Sequence, residues 1–133
     1  MNVVITGASK GIGRSAAEIF AANGHNVFMC SRGEAALYKA MEELLTKFPG
    51  VTIKAKPFDL SIKEQAKEFG KWALEQTAKA GDGNIDVLIN NAGIVEKWQQ
   101  KNQMKYPLLP LIPIISKPLL ILHLRNMRLQ ISI

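Results

Sequence analysis

Acidic residues are missing from the last quarter of this chain. Residues 97–133 carry six basic side chains (Lys97, Lys101, Lys105, Lys117, Arg125 and Arg128) and no Asp or Glu. Residues 1–96 carry 11 Lys+Arg and 11 Asp+Glu, so the whole net charge of +6 sits in the tail. The tail also lacks Gly, Ala and Val, yet it holds four of the six prolines. So abrupt a change divides the chain into two unlike segments, 1–95 and 96–133.

Cysteine is almost absent as well. A lone Cys30 cannot form an internal disulfide, and with only His25 and His123 beside it no zinc-type spacing exists. A reducing compartment such as the cytoplasm is the expected setting. The amino terminus has no basic stretch leading into a long apolar run, which excludes a signal peptide. The most apolar stretch, 108–124, is broken by Pro110, Pro113, Lys117 and Pro118. A membrane span needs about 20 mostly apolar residues, so none is expected. The basic tail lacks the aromatic interleaving that nucleic-acid binding favours, and no nucleic-acid partner is expected. Otherwise the mixture, 47% hydrophobic and 21% charged, is that of an ordinary globular domain.

Strand and helix patterns alternate through the first segment. The apolar run 3–5 reads as a buried strand, followed by a helical stripe of Ile12, Ala16, Ile19 and Phe20. Asn23-Gly24 ends that helix, with Gly24 suited to the left-handed position beyond it. Residues 26–30 read as a second strand. Ser31 and Glu34 have capping-box spacing before a stripe of Leu37, Met41, Leu44, Leu45 and Phe48. Residues 51–56 alternate as a third strand. Ser61 and Glu64 repeat the capping-box spacing, and Ile62, Ala66, Phe69 and Ala73 form the next stripe. Gly70 weakens that helix. A turn over 81–84 leads to a fourth strand, 85–89. Such alternation predicts an α/β fold with a parallel, doubly wound sheet in the order 3-2-1-4. The tail shows no such period and is expected to be irregular.

The chemistry sits between the first strand and the first helix, in Thr6-Gly7-Ala8-Ser9-Lys10-Gly11-Ile12-Gly13. Gly7 lets the chain turn off the strand. Gly11 and Gly13 permit positive φ and leave room for a pyrophosphate against the backbone. The helix N-terminus would then point N–H groups and its dipole at the anion. At the end of the second strand stand Ser31 and Arg32, a hydroxyl and a guanidinium, and Lys10 is a further cation. Cys30 reads as a small buried hydrophobe, and His25 as a solvated turn residue. Trp72 and Trp98 sit in no motif.

The G-x-x-x-G-x-G spacing, together with Asn90-Asn91-Ala92-Gly93 after the fourth strand, resembles the short-chain dehydrogenase/reductase family over residues 1 to about 95. The resemblance implies a Rossmann sheet binding NAD or NADP through Gly7, Ser9, Lys10, Gly11, Ile12 and Gly13. It implies that the residue ending the second strand chooses the cofactor. Ser31-Arg32 stands there with no acid beside it in sequence, which favours NADPH. It implies that Asp59 accepts from the adenine amino group while Leu60 packs on the ring. Asn90, Ala92 and Gly93 would line the ribose and nicotinamide end, and Asn91 would tie the central strands together. The family's partner is a small carbonyl or alcohol substrate, ranging from acyl-carrier thioesters and sugars to steroids and ketones.

The family's catalytic Tyr-x-x-x-Lys pair has no match. Tyr38 is followed four residues later by Glu42, and Tyr106 by Pro110. Ser116 has no partner either, so no catalytic residue is assigned, and no metal ligand. The helices that usually form the family's dimer interface have no counterpart. A shifted reading frame would give a tail of this composition. The expectation is therefore a shortened NADP-dependent reductase. A non-catalytic nucleotide-binding or interaction module is the alternative.

Overall fold

The computed structural model describes residues 1–93, together with the backbone of 119–124 and 127–132. Four parallel strands form the central sheet: β1 (Asn2–Thr6), β2 (Asn26–Ser31), β3 (Ile53–Pro57) and β4 (Val87–Asn90). Their spatial order is β3-β2-β1-β4, as the βαβ alternation requires. The connecting helices are α1 (Gly11–Ala22), α2 (Glu34–Lys47) and α3 (Lys63–Ala80).

The central strands are apolar throughout because both of their faces are covered. Val3, Ile5, Val27, Met29, Ile53, Val87 and Ile89 point to one side and pack with Leu37, Ala40 and Leu44 of α2 and with Ala17 and Ala21 of α1. Val4, Phe28 and Cys30 point to the other side and pack with Phe58 and with Phe69 and Ala73 of α3. Phe58, Phe69 and Trp72 form an aromatic cluster there, with centroid separations of 5.6–6.2 Å. β3 lies at an edge and alternates, with Lys54 and Lys56 exposed, which suits an edge strand.

The helix faces differ in part from the sequence expectation. α1 buries Gly13, Ala17 and Ala21, while Ile12 and Ile19 remain 66% and 62% exposed. This helix lies too close to the sheet to place large side chains beneath it. A Cβ on Gly13 would stand 2.6 Å from Asn91 Nδ2 and well inside van der Waals distance of the Gly7 carbonyl oxygen. The room is taken by backbone, so Ile12 and Ile19 turn outward, while Ala16 and Phe20 of the expected stripe do pack against the core.

Neither expected capping box forms. Gly33 and Ile62 precede α2 and α3, and neither gives a side-chain cap. Ser31 Oγ instead donates to the Gly33 carbonyl at 3.4 Å. Ser61 lies two residues before the helix and turns toward Asp59. The end of α1 follows the expectation. Gly24 has φ +79°, and the N–H groups of Gly24 and His25 donate to the carbonyls of Ala21 and Phe20. That paired closure brings the His25 ring to 6.0 Å from Phe20, so His25 is half-buried and not simply solvated.

At the amino ends of the strands, side chains tie neighbours together. Asn2 Nδ2 donates to the Asn84 carbonyl, Asn26 Nδ2 donates to Asn2 Oδ1, and Thr52 N–H donates to Asn26 Oδ1. Asp86 accepts the Asn2 N–H at 2.7 Å. On the α1–α2 flank, Arg14 bridges Glu18 and Glu43, and Lys47 reaches Glu18 at 2.8 Å. Lys47, with Arg14 adding to it, holds the Glu18 carboxyl below its ordinary range.

In the tail, where irregular chain is expected, Leu119–Leu124 (β5) and Met127–Ser132 (β6) pair antiparallel, with Leu124 opposite Met127. All four tail prolines precede β5, so none removes a donor from that ladder.

Two glycine substitutions test this packing, with opposite signs. Gly70→Ala lies exposed in α3 with nothing within 4 Å of an added Cβ. It should stabilise the protein by about 1 kcal/mol in urea unfolding. Gly13→Ala should destabilise it by about 1–3 kcal/mol, because backbone and not a flexible side chain must move.

Candidate functional site

A cleft of about 420 Å³ opens at the carboxyl ends of the strands, where an open α/β sheet reverses its winding. Loops after all four strands contribute to it. The loop after β1 supplies Gly7, Ser9 and Lys10. The end of β2 supplies Cys30, Ser31, Arg32 and Gly33, with Ala36 from α2. The segment after β3 supplies Phe58, Asp59, Leu60 and Ser61, and the loop after β4 supplies Asn91, Ala92 and Gly93.

The loop after β1 is built by close approach. Gly7 and Gly11 hold φ of +64° and +60°, a conformation that side-chain-bearing residues rarely adopt. A Cβ on Gly7 would also meet the Ala92 backbone at 3.0 Å, whereas one on Gly11 would meet nothing within 4 Å. Ala8 N–H donates to the Cys30 carbonyl at 3.1 Å and ties the loop to β2. Gly13 does not take positive φ. It serves instead to let α1 rest on the Gly7 carbonyl.

α1 begins without help from side chains. Lys10 caps it in extended conformation with no side-chain hydrogen bond, and its first turn has no acid. The first turns of α2 and α3 carry Glu34 and Glu64. Among the described residues the opening N–H groups of α1 therefore have no N-cap side-chain oxygen and no acid in their own turn, and the helix dipole favours an anion there.

Thr6 organises the junction of β1 with the loop after β4. Its hydroxyl accepts the N–H groups of Asn91 and Ala92 at 3.0 and 2.9 Å, and donates to Asn90 Oδ1 at 3.0 Å. Asn91 Nδ2 donates to the Gly7 carbonyl at 3.1 Å, so Asn91 does tie the central strands together. The role of Thr6 is missed in the sequence reading. Its signal is a hydroxyl on the last residue of a strand, beside a strand that ends in Asn-Asn.

Of the residues singled out from sequence, Gly7, Ser9, Lys10, Ser31, Arg32, Asp59, Leu60, Ala92 and Gly93 line this one cleft. Gly11, Ile12, Gly13 and Asn90 do not line it. The first three shape the helix entry, and the Asn90 side chain is engaged by Thr6. Cys30, Gly33, Ala36, Phe58, Ser61 and Asn91 are lining residues to which the sequence reading gives no ligand contact. Asn91 is expected there only to tie strands, and no ligand-binding motif names the other five.

Lys10 and Arg32 are both exposed, and neither forms an ion pair among the described residues. Besides Glu34, two residues on in sequence, a second acid stands near Arg32 in space. Phe58 N–H donates to the Ser31 carbonyl at 3.0 Å, which sets the residues after β3 beside those after β2. Hydrogen bonds from Ser61 hold the Asp59 carboxyl below its ordinary range, and the Arg32 charge adds to the effect. Beneath the cleft, burial pushes the Cys30 thiol up to about 12. Cys30 is therefore a neutral thiol at pH 7 and no nucleophile.

Among the described residues, no group of three or more His, Cys, Asp or Glu could hold a metal ion. None of the described helices is long and apolar enough to cross a membrane.

Comparison with known proteins gives a consistent picture. The family described as short chain dehydrogenase matches residues 1–107. Dehydrogenase/reductase SDR family member 7B of Xenopus tropicalis is 38% identical over 96 residues, covering 69% of this chain and 29% of that protein. An alcohol dehydrogenase from the archaeon Thermococcus sibiricus, solved with 5-hydroxy-NADP, superposes with a TM-score of 0.62 at 35% identity. It covers 70% of this chain and 37% of its own. A short-chain dehydrogenase from Sphingobium yanoikuyae, solved with NADPH, gives a TM-score of 0.58 at 35% identity, covering 71% and 34%. The chain thus spans about a third of the length of the relatives it matches.

The Thr6 hydroxyl and the Cys30 thiol each yield a test. Thr6→Val strands two N–H donors and one side-chain acceptor and should cost about 2–4 kcal/mol in urea unfolding, while Thr6→Ser should stay within about 1 kcal/mol of wild type. The folded-state pKa of Cys30 is raised above its ordinary 9.0. The stability tied to keeping that thiol neutral is fully present below pH 9 and is lost as pH rises toward about 12. Between pH 8.5 and 10.5 the urea midpoint should therefore fall further for wild type than for Cys30→Ala.

Proposed function

Because this chain belongs to the short-chain dehydrogenase family, we propose that residues 1–95 form the NADP(H)-binding part of an oxidoreductase acting on a carbonyl or alcohol substrate. The observation that carries this reading is the electrostatics of the cleft. Arg32 and Lys10 are cations without ion-pair partners among the described residues, and Ser31 ends β2 where an acid would repel a 2′-phosphate. The neighbours solved with 5-hydroxy-NADP and with NADPH support the same choice.

The residues present fit such a group. The uncapped start of α1 and the open space beside Gly11 would receive the pyrophosphate. Arg32, Ser31 and Lys10 would hold the 2′-phosphate, Asp59 and Leu60 the adenine, and Ala92 and Gly93 the ribose and nicotinamide end. When bound, the nicotinamide supplies hydride transfer to or from a carbonyl or hydroxyl carbon. This chain's own residues position and discriminate, and a cytoplasmic setting fits the lone, buried, neutral Cys30.

We assign no proton-transfer residue. Neither Tyr38 nor Tyr106 has a lysine four residues on. That observation favours a second reading, in which this polypeptide binds the dinucleotide without turning over substrate. The two readings share the cleft and part at catalysis, where general acid–base assistance is worth about 10²–10⁴-fold.

Calorimetric titration should show tighter binding of NADPH than of NADH. Arg32→Asp should weaken NADPH binding by about 1.5–3 kcal/mol, roughly tenfold to more than a hundredfold, and leave NADH nearly unchanged. Equal affinities in wild type would sink the cofactor assignment. NADPH oxidation against ketones, aldehydes and acyl thioesters separates the two catalytic readings, and no turnover above the uncatalysed rate is expected from this polypeptide.

A further inference from the structure

We propose that Ser61 is a positioning residue for cofactor choice: it holds the Asp59 carboxylate away from Arg32 and so keeps the guanidinium uncommitted for a 2′-phosphate. The inference rests on the cofactor reading above and extends it to Ser61, which acts through Asp59.

Arg32 and Asp59 carry opposite charges, line the same cleft, and follow two strands that pair side by side. The Phe58 N–H bond to the Ser31 carbonyl fixes the two loops against each other. An unrestrained arginine and carboxylate so placed would close into a forked, two-bond pair. No ion pair forms between them.

The carboxylate is held elsewhere. Asp59 Oδ1 accepts the Ser61 hydroxyl at 2.6 Å and the Ser61 N–H at 3.0 Å. The backbone is fixed on both sides of that side chain. Asp59 N–H donates to Gln65 Oε1 at 2.7 Å, and Ile62 N–H donates to the Asp59 carbonyl at 3.1 Å. The 2.6 Å contact is the short, charge-assisted kind, and the lowered Asp59 pKa agrees with a carboxylate held in its ionised form. Without the hydroxyl, one N–H bond remains on Oδ1, and the side chain is free to rotate toward the guanidinium.

A purely structural serine, one that only closes the turn before α3, makes a different prediction. Its loss would weaken both cofactors alike or lower stability alone. The ratio of NADPH to NADH affinity therefore distinguishes the two roles.

The test uses the full chain and calorimetric titration with NADPH and with NADH, on wild type, S61A, S61T and the double variant S61A/D59N, each checked for folding by circular dichroism. S61A should lower the NADPH-to-NADH affinity ratio by roughly tenfold, the scale of one charge-assisted hydrogen bond. S61T, which keeps the hydroxyl, should restore the ratio. S61A/D59N, which removes the competing charge, should restore it as well. An S61A ratio within about twofold of a wild type that itself prefers NADPH would overturn the role of Ser61 and leave the cofactor reading standing. A ratio that stays low in S61A/D59N would overturn it too, since Asp59 would then not be the competitor. A wild type without preference for NADPH would overturn the cofactor reading and this inference with it.

Discussion

A single buried hydroxyl sets the geometry at the carboxyl edge of the sheet. Thr6 has one proton to give and two lone pairs to fill, and all three are used, toward Asn90, Asn91 and Ala92. These bonds bring the loop after β4 against the loop after β1. Gly7 lies so close to Ala92 that no side chain fits between them, and Gly13 brings α1 down onto the Gly7 carbonyl. Asn91 closes the arrangement from the other side. The cleft floor is therefore backbone packed on backbone, and the direction of α1, with its uncapped N–H groups, follows from it.

The distribution of charge follows the same division. On the α1–α2 flank, Arg14 and Lys47 are committed to Glu18 and Glu43. At the cleft mouth, Lys10 and Arg32 form no ion pair among the described residues. Pairs on an exposed flank contribute little to stability. Their value lies in leaving the unpaired positive field concentrated where the helix dipole already points. Asp59, an acid near that field, has its carboxylate bonded to Ser61.

Strand order, both central strands and the glycine turn could be read from the sequence because each rests on a local, periodic or stereochemical signal. β1 and β2 are apolar at every position that two covered faces require, and Gly7 stands where the chain must turn. The misreadings arise where tertiary contact overrides local pattern. Ile12 and Ile19 keep helical spacing but lie outside, because Gly13 and two alanines take the inner face. Ser31 and Ser61 have capping-box spacing, yet each finds a nearer acceptor. Asp59 lies 27 positions beyond Arg32 and becomes its neighbour only through β2–β3 pairing. The cleft residues were legible where a motif names them. Phe58 and the office of Thr6 were not, since no spacing rule encodes a partner on another strand; Ser61 was not, because its capping-box spacing points to Glu64 while its hydroxyl bonds Asp59 two residues back.

The asparagine chain at the amino edge has a consequence of its own. Asn84, Asn2, Asn26 and Thr52 link the strand starts at the end of the sheet opposite the cleft. The molecule has one end that keeps the strands in step and another that opens the cleft, with the apolar core between them. Substitutions at such separated positions combine nearly additively. Robustness and specificity are therefore two independently adjustable traits. A lineage carrying this fold can drift at one end while selection acts on the other.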